Sequence, residues 1–285
     1  MLALIMFGIG ASLQLKDFNN VFFYPKALTA GLSLQMIFLP IFFFAVAWFA
    51  PISPTLKVGL FILSLCPGGT TSNFISYLVR AEVALSISLT IINSVLILFT
   101  IPALTSLGLS YFMGTEQQIQ IPVLQTITQI FLLTLFPSLV GLGFNQSFPM
   151  LSARIKQPLK YINILLLGLV FGIKFFAGES QGGSGISVDD ILIILPYALL
   201  THLGSMIFSY YFAKSINIDN RNATTIGIEV GLQNTALALL ITGTLLGNNE
   251  MTRPALVFAI FSFFTTLAFA WLAMRKDKTV QKAAL

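Results

Sequence analysis

Charge is what this chain has least of. Lys, Arg, Asp and Glu make up 9% of its 285 residues, where a soluble domain carries roughly 25%. Such scarcity excludes a disordered segment or a nucleic-acid-binding domain, since both depend on charge. The one cysteine, Cys66, closes no internal disulfide and so says nothing of redox compartment. Hydrocarbon fills the rest: 56% of residues are hydrophobic, 27 are Phe, and the mean hydropathy is +0.90. A soluble fold of this size cannot hide that much apolar side chain. An integral membrane protein is expected.

Charge-free stretches run from Ala27 to Leu56, Val83 to Thr115, Gln117 to Ala153 and Ile191 to Ala213. A bilayer crossing takes about 20 apolar residues. The pattern predicts nine membrane elements, at 1–14, 26–50, 55–80, 82–110, 121–144, 157–177, 188–213, 221–247 and 252–274. Breakers and charges fall between them, as in Lys16-Asp17-Phe18-Asn19-Asn20 and Gly178-Glu179-Ser180-Gln181-Gly182-Gly183. In lipid, helices satisfy their own backbone. The expected fold class is therefore an all-α integral membrane protein, a single multi-pass domain over 1–285 with no room for a soluble one.

Orientation follows from the basic residues. With Arg275, Lys276, Lys278 and Lys282 in the cytoplasm, alternation puts 12 of the 15 basic residues inside, all but Lys57, Lys174 and Arg253. Glu179, Asp189 and Asp190 fall outside. The first run, 1–14, is short for a crossing and has no basic segment before it, unlike a signal peptide. It gives the expectation that an upstream helix is missing.

Two elements contain breaks. The third runs into Cys66-Pro67-Gly68-Gly69-Thr70-Thr71-Ser72-Asn73, where Pro67 removes a donor and glycines admit non-helical backbone. The eighth carries Ile228-Glu229-Val230-Gly231-Leu232-Gln233-Asn234 in mid-span. Unwound backbone at membrane depth must be buried in protein or line a wet cavity. Paired interrupted spans point to a secondary transporter of inverted repeats, here a first repeat 1–113, a second repeat 121–274 and a basic tail 275–285. The break at Gly231 lies further into the second half than Gly68 lies into the first, by about one span with its loops.

Glu229 weighs most. An acid at a helix centre costs about 2.5–3.5 kcal/mol on insertion scales and marks ion or proton paths. Ser86 and Thr90 share one helix face, and either bond their own backbone or serve a site. Gln35 suits helix packing as well as a site, whereas Asn93 and His202 read as packing residues. Cys66 reads as a small buried residue beside the break. Ser262, Thr265 and Thr266, in the last span, can bond their own helix. With no nucleophile–base pair or metal cluster beside Glu229, an enzyme is not expected.

With Phe7-Gly8-Ile9-Gly10, the Cys66–Asn73 motif, Tyr77-Leu78-Val79-Arg80 and the Ile228–Asn234 motif, the chain resembles the bile acid:sodium symporter family over essentially its whole length. The resemblance implies ten helices in two inverted repeats, divided into a panel and a core, with this chain starting at the second helix. It implies two sodium ions behind the crossing of the broken helices. One site would use Ser72, Asn73, Ser86, Thr90 and Glu229. The other would use Gln35, Glu229 and Gln233 with the carbonyls of Val230 and Leu232. Thr70, Thr71 and Asn234 match the family's polar contacts to substrate, which ranges from bile acids to small anions such as pantoate. The expected function is sodium-coupled import of an organic anion, a small carboxylate in preference to a steroid. The expected location is a cell membrane, a bacterial inner membrane, with lipid as the other partner and no nucleic acid. Two alternatives stand beside it: a proton-coupled carrier with Glu229 as relay, and a non-transporting receptor or scaffold.

Overall fold

The computed structural model describes residues 2–11, 24–114, 127–129, 131–178 and 181–283. The expected loop Lys16-Asp17-Phe18-Asn19-Asn20, the last residues of the first predicted element and the first of the fifth lie outside the described residues, as do Glu179 and Ser180. Among the described residues every regular element is a helix. They are α1 (Leu2–Gly10), α2 (Pro25–Phe49), α3 (Pro54–Ser64), α4 (Thr70–Val79), α5 (Val83–Met113), α6 (Phe136–Ser147, after a π-turn at Phe131–Leu135), α7 (Pro149–Phe176), α8 (Val188–Ser215), α9 (Asn220–Gly231), α10 (Thr235–Leu245) and α11 (Arg253–Ala283). Among the described residues five stretches are long and apolar enough to cross a bilayer: Pro25–Phe49, Val83–Met113, Ile127–Ser147, Val188–Ser215 and Glu250–Arg275. α3 and α10 are shorter apolar helices.

Local chemistry sets the helix ends. Pro54 occupies the first turn of α3, where a missing N–H costs nothing, and the Ser53 hydroxyl accepts from Leu56 N at 3.3 Å. Ser187 and Asp190 form a capping box on α8, and Asp219 caps α9. α7 begins at Pro149, earlier than the span expected at 157, because proline again suits a first turn and Ser152 is tied to the Ala11 carbonyl at 3.1 Å. α11 runs on through most of the expected tail to Ala283, and the Arg275 guanidinium lies 3.5 Å over the Trp271 ring.

Packing divides the helices into two groups. α1, α6 and α7 lie against one another, with Gly10 set against the Ser138 backbone and Gly141 against Phe7. The others form a larger body whose buried core includes Phe43, Phe61, Ile101 and Phe258. Within it α8 and α9 share the most extensive contact among the described residues. Gly227 and Gly231 share one face of α9, and a Cβ on Gly231 would meet the Met206 Cβ at 2.6 Å. Ion pairs tie the body at both ends: Arg221 to Glu82 at 3.5 Å and Arg253 to Asp190 at 3.3 Å.

Candidate functional site

The two breaks meet. α3 stops at Ser64, Pro67 follows shortly after, and the chain turns helical again only at Thr70. α9 stops at Gly231, and Leu232 to Asn234 run extended before α10. The extended pieces pair as one antiparallel bridge between Pro67 and Gln233, with Asn234 N donating to the Cys66 carbonyl at 2.9 Å. Only a residue without Cβ fits the approach, since a Cβ on Gly68 would sit 2.6 Å from the Leu232 carbonyl oxygen. Unwound backbone is thus satisfied in part by other unwound backbone, deep inside the protein.

Glu229 lies in the last turn before the second break and is 1% exposed. Ser86 donates to its Oε1, and the hydroxyls of Ser72 and Thr90 flank the same carboxylate. Protons are short here. Ser86 also faces Asn73 Oδ1 at 2.7 Å, and Thr90 reaches that oxygen at 3.4 Å. Ser72 gives its proton to the Gly69 carbonyl at 2.7 Å. Glu229 Oε2 is buried and accepts no hydrogen bond. A buried, donor-poor set of carboxylate, amide and hydroxyl oxygens suits a hard monovalent cation better than it suits itself. All five residues expected for the first site are brought together.

Of the second expected set, Gln35, Gln233 and the Val230 carbonyl come together, while the Glu229 side chain meets the first cluster and the Leu232 carbonyl faces Gly68. Gln35 lies in the π-turn Leu34–Phe38 of α2, an interruption common at functional positions. Its Nε2 reaches Gln233 Oε1 at 3.4 Å, while its own Oε1 is buried without a hydrogen-bond partner. Gln233 Nε2 in turn donates to the Val230 carbonyl at 2.7 Å. Again the unmatched atom is an oxygen.

A cavity of about 50 Å³ opens beside the crossing. Gly68, Gly69, Asn234, Thr90 and Ser94 line it from the larger body, and Met6, Leu135 and Ser138 close it from α1 and α6. Asn234 also caps α10, its Oδ1 accepting from Leu237 N at 3.0 Å. Of the expected substrate contacts, Asn234 lines the cavity and Thr71 is exposed away from its lining. Thr70 opens α4; its side chain lies outside the described residues.

Several contributors escape sequence reasoning. Ser94, Met6 and Ser138 are unremarkable in sequence and become cavity walls only through the packing of α1 and α6 on α5 and the breaks. His202 is buried between α8, the second break and α11, with Nδ1 2.9 Å from the Gly231 carbonyl and Nε2 2.7 Å from Thr265 Oγ1. Its one signal in the sequence is that it is the single histidine. Cys66 is buried, with Sγ 3.3 Å from the Ile62 carbonyl, as a small residue beside the break should be.

Comparison with known proteins points one way. The Sodium Bile acid symporter family matches residues 1–181, which include the first break. The Arabidopsis thaliana protein named "Probable sodium/metabolite cotransporter BASS1, chloroplastic" is 29% identical over 262 residues, covering 91% of this chain and 62% of that protein. The Bacillus subtilis protein named "Uncharacterized sodium-dependent transporter YocS" is 28% identical over 284 residues, 99% of this chain and 83% of the relative. The human ileal sodium/bile acid cotransporter is 25% identical over 273 residues, 95% of this chain and 75% of the relative. The chain thus spans about three-fifths of the length of the plant relatives it matches.

Proposed function

The chain belongs to the Sodium Bile acid symporter family, and from that premise we propose that it is a sodium-coupled symporter importing a small organic anion by alternating access. One observation carries the reading: the buried Glu229 carboxylate sits among oxygens that hold too few protons to satisfy it. Two sodium ions are co-transported. The first is held by Ser72, Asn73, Ser86, Thr90 and Glu229, and the second by Gln35, Glu229, Gln233 and the carbonyls of Val230 and Leu232. One carboxylate shared by two cations offsets half their charge.

The substrate binds where α4 and α10 begin. Both helices begin at the crossing and bring the positive ends of their dipoles there, which favours a carboxylate. Asn234 and the Thr70-Thr71 start of α4 supply polar contacts. A cavity of about 50 Å³ holds little more than a water or two. Loading therefore requires α1 and α6 to move away from the breaks, as a panel against a core. The halves 1–113 and 121–274 act as inverted repeats, and the basic C-terminal tail faces the cytoplasm of a bacterial inner membrane. Transport, rather than bond chemistry, is the activity.

Uptake of labelled monocarboxylates, with pantoate and a bile acid among them, into sealed proteoliposomes tests this reading. Accumulation driven by inward sodium and lost when choline replaces it at constant pH is expected. Uptake that follows a proton gradient in choline would make Glu229 a proton relay. Tight sodium-dependent binding without any uptake would mark a receptor.

A further inference from the structure

We propose that His202 is a positioning residue for the cation cluster at the second break: its Nδ1–H holds the Gly231 carbonyl and so fixes the peptide at which α9 ends, between the carbonyls of Val230 and Leu232. The proposal rests on reading that cluster as a sodium site.

A helix that stops in mid-membrane leaves its last carbonyls without intrahelical partners, and each must go somewhere. At the end of α9 the Ile228 carbonyl accepts from Leu232 N at 2.9 Å, closing the last turn. The Val230 carbonyl faces Gln233 Nε2 at 2.7 Å, and the Leu232 carbonyl faces Gly68 of the first break. The Gly231 carbonyl between them faces His202 Nδ1 of α8 at 2.9 Å. The Gly231 carbonyl belongs to the peptide that joins the last helical residue to the extended Leu232, so the His202 bond fixes the peptide at which the break begins.

The imidazole is suited to the task because it cannot turn. A carbonyl only accepts, so Nδ1 carries the proton; Nε2 lies 2.7 Å from Thr265 Oγ1, a hydroxyl that also faces the Phe261 carbonyl at 2.9 Å. Phe258 and Phe261 meet the ring edge-on, with centroids at 5.1 Å and 5.5 Å. The residue is fully buried, and a flipped ring would set a C–H against the Gly231 oxygen. Gly231 is itself pressed against Met206 of α8.

Three variants test the assignment: His202→Phe keeps the aromatic bulk without the donor, and His202→Asn and His202→Leu are matched in size but differ in having an N–H near the place of Nδ1. The measurement is calorimetric sodium titration of the purified protein, with choline as the control salt at fixed pH, beside the thermal midpoint in choline. Losing one buried hydrogen bond weakens a linked equilibrium by roughly tenfold or more. We expect His202→Phe and His202→Leu to raise half-saturating sodium by about that factor, and His202→Asn to restore most of it. Should His202→Phe fail to fold, the Asn and Leu pair decides. Variants with lowered midpoints but the sodium affinity of the unaltered protein would reduce His202 to a packing residue and overturn the proposal. Absence of sodium binding in the unaltered protein would instead overturn the sodium reading beneath it.

Discussion

The Ser86 hydroxyl joins the Glu229 carboxylate across 143 residues of chain, and the same hydroxyl also faces Asn73 Oδ1 at 2.7 Å. One proton cannot serve both acceptors. The imbalance is what separates this cluster from an ordinary buried polar network, where each acceptor finds a donor. It arises because three helix segments, α4, α5 and α9, each deliver an oxygen to one point. The proposed sodium ion would supply there what hydroxyl protons cannot.

Glu229→Gln keeps the shape of the side chain and removes its charge. We expect sodium-dependent uptake to fall to the level seen in choline, with the protein still folded, because both cation sites lose their anionic partner. Uptake assays on protein whose elution profile matches the unaltered form check this. Retained sodium dependence would remove Glu229 from the cation path.

Gln35→Ala and Thr90→Ala should separate the two sites. Gln35 touches Gln233 and not the Ser86 cluster, whereas Thr90 lies beside Asn73 and Glu229. Each change should weaken sodium binding by about tenfold, the cost of one lost buried polar contact, and leave one titratable sodium site in calorimetry. If either change alone removes all sodium binding, the sites are not separate.

Much of the site is legible in the amino-acid sequence because membrane depth punishes irregularity. Pro67, Gly68 and Gly231 break helices where lipid tolerates no break, and Glu229 places a charge where none is cheap, so both motifs announce a buried purpose. What sequence does not supply is partnership. The Pro67–Gln233 bridge and the Asn234 bond to Cys66 join residues with no pattern between them. The π-turn around Gln35 leaves no mark in a sequence that reads as continuous helix. His202 reads as packing because a lone polar residue on an apolar span usually is; its role depends on a carbonyl 29 positions away. α7 starts ahead of its apolar run because Pro149, which reads as loop, is as much at home in a first helical turn.

Gly231→Ala should destabilise through overpacking rather than through the site. The added carbon would meet the Met206 Cβ at 2.6 Å and its Cγ at 3.0 Å. Such crowding costs about 1–3 kcal/mol, so the apparent thermal midpoint should drop in choline as well as in sodium. Gly143→Ala is the control: nothing lies within 4 Å of its added carbon, and it sits inside α6. Alanine there should hold the midpoint or raise it, since it favours helix over glycine by roughly 0.5–1 kcal/mol. Equal losses at both glycines would mean that the α8–α9 contact is not what makes Gly231 small.

Charge movement follows from the proposed two sodium ions and a monoanionic substrate. Their sum is one net positive charge carried inward per cycle, and Glu229 does not alter it because the carboxylate stays with the protein. Carrying one charge through the membrane potential is worth about 2.3 kcal/mol per 100 mV. At fixed sodium gradient, an inside-negative potential of about that size should therefore raise steady-state accumulation of a monocarboxylate by more than ~10-fold. A dicarboxylate carried with the same two sodiums would move no net charge, and its accumulation should ignore the potential. Proteoliposomes with the potential set by potassium and valinomycin measure both substrates in one preparation. A monoanion whose accumulation does not respond to potential means a single sodium per cycle, and then one of the two oxygen clusters around the crossing holds structure rather than cargo.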